Sequence, residues 1–108
     1  MQHKNLGQDD WSRQSLVFQL ANIGSEVFRA MQWKHKNNLP YAHDANLRAL
    51  ELFDLTLSST QKLSELKEIA RARELWLDFF VGDNQYKQTE QQWKNYFYAF
   101  TYAAQNKK

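Results

Sequence analysis

Arg73 carries more chemistry than its surroundings account for. Counting about 100° per residue along a helix, it falls between Leu66 and Phe80, in the middle of an apolar stripe. A guanidinium left dry and unpaired is strongly destabilising. Arg73 therefore needs a carboxylate, the carbonyl end of a helix or a bound anion. Glu26 is the first-choice partner, because it borders the apolar stripe of an earlier helix beside Ile23. Glu74 borders Arg73's own stripe but points about 100° away from it. Arg48 sits at the border of a third stripe. One reading is a buried ion network of Arg73, Glu26, Arg48 and Glu74 that fixes helix register. Another is a site for a small anionic ligand around Arg73 and Arg48. A third is an arginine that snorkels to an open end of the fold.

The run Trp33-Lys34-His35-Lys36 sets cations beside an aromatic ring. That composition suits base stacking with phosphate contact. It equally suits an ordinary helix C-terminus, where cations complement the macrodipole. The net charge of +2 comes from scattered lysines, so nucleic acid is not the favoured partner, which would need a basic face. His3, His35 and His43 lie at a frayed end, a helix end and a helix start, and no two are at i, i+4. Glu51 and Asp54 share the outer face of one helix and read as a solvated pair rather than a metal site. Paired Glu-x-x-His motifs, a phosphate loop, a dinucleotide fingerprint and a nucleophile elbow do not occur. With no cysteine, thiol chemistry, disulfides and thiolate metal sites are excluded. No cofactor or metal is expected.

The elements that must position these residues are helices. Three glycines and one proline in 108 residues leave few breakers. Residues 1–10 read as a disordered polar segment, 11–105 as a single domain and 106–108 as a polar tail. The first helix is expected from about Trp11 to Asn37, capped by Asp9, Asp10 or Ser12. Leu16, Leu20, Ile23, Val27 and Met31 form its stripe, with Phe18 off it. Gly24 costs about 1 kcal/mol inside a helix, so a neighbouring helix is expected to approach closely there. Asn37 and Asn38 end the segment. Pro40 opens a second helix to about Ser58, with a small-residue face of Ala42, Ala45 and Ala49. The third helix runs from about Gln61 to Val81, with Leu63, Leu66, Ile69, Ala70, Trp76, Leu77 and Phe80 as its stripe. Gly82 is expected to close it in left-handed geometry. Thr89 and Gln92 form a capping box for the fourth helix, whose expected core face is Trp93, Tyr96, Phe97, Phe100, Ala103 and Ala104. Four such helices with short links predict an all-α, up-down-up-down bundle.

Ala72, Leu75 and Phe79 lie opposite the main stripe of the third helix, and Tyr98 and Tyr102 opposite that of the fourth. Apolar residues on the backs of adjacent helices predict an association surface, and with it a homodimer or a protein partner. No apolar run approaches the roughly 18 residues of a membrane span, and the N-terminus lacks a secretory signal, so a cytoplasmic location is expected.

The segments GSEVFRAMQWK (24–34), RALELFDLTL (48–57), LKEIARARELWLDFF (66–80) and GDNQYKQTEQQWKNYFYAFTYAA (82–104) resemble a group of small prokaryotic helical-bundle proteins of unassigned function. That group is similar to the HEPN-type bundles. The resemblance implies dimers that partner nucleotidyltransferases or act as RNA-cleaving toxins. HEPN nucleases carry Arg, four to six residues, then His, and Arg29 and His35 match with five between. In that reading Arg29 holds the scissile phosphate and His35 transfers a proton. The leading expectation is a non-enzymatic, homodimeric interaction module. A metal-independent ribonuclease or toxin component stands second, and an anion binder at Arg73 third.

Overall fold

A computed structural model describes residues 11–106. Four helices account for most of them: α1 (Leu16–His35), α2 (Leu39–Ser59), α3 (Leu63–Phe80) and α4 (Glu90–Asn106). No strand occurs among the described residues. The segment 1–10, with Asp9 and Asp10, and the last two tail residues lie outside the described residues.

Helix α1 starts later than its hydrophobic pattern suggests. Its cap is Ser15, whose Oγ accepts from the Phe18 N–H at 3.1 Å. Ahead of it residues 11–12 are helical and the chain turns at 13–14, so Trp11 lies before a break in the expected first helix and is buried against the bundle. The Trp11 indole N–H donates to Thr56 Oγ1 at 2.9 Å, and Gln19 Nε2 donates to the Trp11 carbonyl at 2.8 Å. A buried indole keeps its hydrogen bond this way.

The remaining boundaries are local chemistry. Asn37 takes the left-handed conformation (φ 60°) that ends α1. Asn38 Oδ1 caps α2 through the Tyr41 N–H, with Pro40 in the first turn. In the capping box of α4, Thr89 N–H donates to Gln92 Oε1 at 2.8 Å and Gln92 N–H to Thr89 Oγ1 at 3.1 Å. Gly82 departs from expectation, since it is not left-handed. Asn84 and Lys87 take that geometry instead. The α3–α4 link is organised by the Asp78 carboxylate, which accepts from the Gln85 and Tyr86 N–H groups at 3.0 and 3.1 Å.

Helix α1 packs on both α2 and α4, and α3 packs on α2. Ala42, Ala45 and Ala49 are buried on α2. At Gly24 a Cβ would lie 2.7 Å from Phe97 Cβ, so the glycine admits the α4 ring. The buried face of α3 is rotated from the expected one. Ile69, Ala72 and Trp76 are buried, whereas Leu63 and Ala70 are exposed. The reason is a second neighbour. Trp76 donates its indole N–H to Asn46 Oδ1 of α2 at 2.7 Å, while its ring meets Trp93 of α4 edge-on at 5.6 Å.

Candidate functional site

A cleft of about 580 Å³ lies between the C-terminal half of α1 and the N-terminal half of α4. Phe28, Met31, Gln32 and His35 of α1, and Lys36 just past its end, contribute to it. Their spacing puts one face of a helix along the cleft. On α4, Glu90, Gln91, Lys94, Asn95 and Tyr98 form the other wall. Phe28, Met31 and Tyr98 provide an apolar lining. At one end, His35 Nε2 and Glu90 Oε1 are 2.7 Å apart, joining the two helices. Lys36 lies over the Trp33 ring, 5.2 Å from its centroid. Neither Lys36 nor Lys94 has a carboxylate partner among the described residues. The cleft thus joins apolar surface to two lysines without a carboxylate partner among the described residues, within the size range of small-molecule sites.

No family model, curated protein or solved structure matches this chain. Function must therefore be read from the geometry.

The expected ion network is divided. Glu26 is buried and receives two guanidinium groups: Arg29 Nη1 at 3.0 Å and Arg48 Nε at 3.2 Å. Arg73 is not part of it. It is 31% exposed and bonds through Nε to Asp54 Oδ1 at 2.9 Å. Glu74 is exposed. The correction has a simple cause. Arg73 lies on the α3 side that meets α2, and its long side chain extends along that border to Asp54 rather than across the core. The surrounding depression also holds Glu51. With Asp54 and Glu51 beside a single arginine, the charge there does not favour an anion.

The structure does not bring Arg29 and His35 to one site. Arg29 is held by Glu26 beside α2, whereas His35 pairs with Glu90 on α4. Their separation of six positions sets them about 120° apart around α1.

The expected association surface also divides. Ala72, Leu75 and Phe79 pack inward towards α4. Ala72 is buried, Leu75 and Phe79 pack against the core, and the Phe79 ring lies 6.4 Å from that of Trp93. They are absorbed by the monomer because α4 covers that side of α3. Tyr98 and Tyr102 face out, 61% and 57% exposed, with their rings stacked at 6.3 Å.

A second groove, of about 310 Å³, runs between α3 and α4 beside Ala72, Leu75 and Trp93. There Tyr96 donates its O–H to Glu68 Oε2 at 2.9 Å. Burial foremost, then that hydrogen bond and the carboxylate's charge, hold the Tyr96 phenol above the usual tyrosine range.

Sequence reasoning passed over Phe28, Glu90 and Lys94 as site residues. The signal was present in the i, i+4, i+8 spacing of Glu90, Lys94 and Tyr98. That spacing gains meaning only once α4 is known to lie against α1.

Proposed function

We propose that this protein is a non-enzymatic interaction module that pairs with a second copy of itself through the outer face of α4. The observation that carries this reading is the absence of charge. From Asn95 to Asn106 there is no acidic or basic residue. Yet only Trp93 and Phe97 of α4 are fully buried, and Tyr98, Ala99, Tyr102 and Ala103 are exposed. A solvent-facing helix is ordinarily charged on its outer side. The two alanines allow close approach of a partner helix, and the flanking tyrosines supply amphipathic contact area.

The accompanying architecture is an up-down-up-down bundle acting in the cytoplasm. The order of contacts supports that topology. Trp33 meets Tyr41 and Glu26 meets Arg48, while Asn46 meets Trp76 and Asp54 meets Arg73. Each series advances along one helix as it retreats along the next. No described helix is long and apolar enough to cross a membrane.

Light scattering on the purified chain at micromolar concentration tests the pairing. The expected mass is about twice the 12.9 kDa of the chain. Tyr102→Glu should give a monomer with unchanged helical content, because a carboxylate buried without a partner in the interface is costly. A wild-type monomer at all accessible concentrations overturns the reading.

A further inference from the structure

We propose that the α1–α4 cleft binds a small amphiphilic organic anion, an aromatic ring system bearing one carboxylate. The inference goes beyond self-association, since it rests on the cleft, which shares only Tyr98 with the outer face of α4 proposed for pairing.

Three observations converge on this ligand class. The cleft, at about 580 Å³, has room for a fused-ring molecule, and small-molecule sites span about 300–1,000 Å³. Phe28, Met31 and Tyr98 offer it an apolar body site with two aromatic rings. Ring-on-ring contact adds to simple burial there. The charge around that surface is unbalanced. Glu90 is the one carboxylate lining the cleft, and it already faces His35 at 2.7 Å. Lys36 and Lys94 have no carboxylate partner among the described residues. An anion bound over the apolar surface would meet Lys94 on the cleft wall and draw Lys36 from the Trp33 ring, at a protein surface where Coulomb attraction exceeds its value in bulk water. A neutral ring of the same shape would gain only the apolar term.

Isothermal titration of the full chain with naphthoate, and with neutral naphthamide as its charge-free counterpart, separates these contributions. Naphthoate should bind at least about fivefold more tightly, an increment typical of a partly exposed ion pair, and less tightly as salt is raised. Lys36→Gln and Lys94→Gln should each weaken naphthoate about fivefold while leaving naphthamide within twofold. Glu90→Gln should tighten naphthoate, because it removes the opposing charge. Lys62→Gln, outside the cleft, should change nothing. Circular dichroism melts confirm that each variant is folded. Tyr102→Glu should bind as the wild type does, so a chain that fails to dimerise can still bind. Four outcomes overturn the proposal: no naphthoate binding at millimolar concentration, equal affinity for the amide, indifference to both lysine changes, or loss of binding in Tyr102→Glu.

Discussion

Two interfaces in this bundle bury their surfaces by different means. Between α1 and α2 the contacts are directional. Glu26 takes Arg48 across the interface, and Gln19 and Thr56 hold Trp11 by its carbonyl and its indole N–H. At α4 the buried contacts are ring against ring, and its side-chain hydrogen bonds to Glu68 and His35 lie at the exposed edges. Trp93 stacks on Phe97 and meets Trp76 edge-on, and Phe97 fills the notch at Gly24. The Trp93 indole N–H is buried without a hydrogen-bond acceptor among the described residues, an uncommon state for such a group. Directional contacts specify register, because a shift of one residue breaks them. Aromatic packing tolerates small displacements at modest cost. The α1–α2 pair thus defines the frame, and α4 is held to it mainly by apolar area. Tyr98 and Tyr102 on the other face of α4 are exposed.

Removing the largest piece of that area tests the contrast most severely. Phe97→Ala should cost about 3–5 kcal/mol in chemical denaturation. A loss below about 1 kcal/mol would place Phe97 outside the core. A second substitution sharpens the test. Gly24→Ala should destabilise the wild type, because its new methyl would lie 2.7 Å from Phe97 Cβ. In the Phe97→Ala background the same change should cost less, because the ring atoms at 2.9 and 3.0 Å are gone while the Cβ contact at 2.7 Å remains. Destabilisation of equal size in both backgrounds would break the account of the notch.

On the directional side, two arginine–carboxylate pairs differ in burial and should differ in strength. The Glu26 side chain is 4% exposed, and that of Arg48 21%. Arg48→Met should cost about 2 kcal/mol, less than the roughly 3–5 kcal/mol of a fully stranded buried charge, because Arg29 remains on the other oxygen. Arg73→Met should cost under about 1 kcal/mol, since Asp54 is 61% exposed and the pair is screened by water. Double-mutant cycles for Glu26–Arg48 and Asp54–Arg73 compare the couplings directly. Equal couplings would remove the distinction between a register-setting pair and a surface one. Any measurable coupling of Arg73 to Glu26 would reopen the single network that the sequence suggested.

What the sequence disclosed follows the range of each interaction. Caps and turn residues were legible at Asn37, Asn38, Thr89 and Gln92, because their partners lie within a few positions. Gly24 was legible as a close approach because a helical glycine needs compensation, although nothing local names Phe97 as the neighbour. Arg73 was misread because angular position shows that a residue lies near a stripe but not which neighbour borders it. A long side chain can then follow that border outward. Trp11 was taken for the first residue of an unbroken helix because its partner, Thr56, is 45 positions away. Ala72, Leu75 and Phe79 read as a back face because one stripe per helix was assumed, whereas α3 touches two neighbours. The cleft was illegible for the same reason, since Lys36 and Lys94 come to line one cleft only through the packing of α1 on α4.

The smallest expected effect concerns Tyr96, at the edge of the aromatic side. Burial, aided by the bond to Glu68 and its charge, raises this phenol above the ordinary range. The folded state therefore favours the neutral phenol more than the unfolded chain does. The resulting stability is present in full below the ordinary tyrosine value of about 10. It falls as the pH rises through that value towards the folded one, because the unfolded chain releases the proton first. Thermal midpoints from about pH 8 to about pH 11 should thus decline more steeply in the wild type than in Tyr96→Phe, which has no proton to lose. Glu68→Gln should reduce the difference without abolishing it, since desolvation is the leading cause and survives the change. Parallel slopes for wild type and Tyr96→Phe would show that the α3–α4 groove admits enough water for Tyr96 to titrate normally. The aromatic side of the bundle would then be wetter than its ring contacts imply, and the contrast with the α1–α2 interface would narrow accordingly.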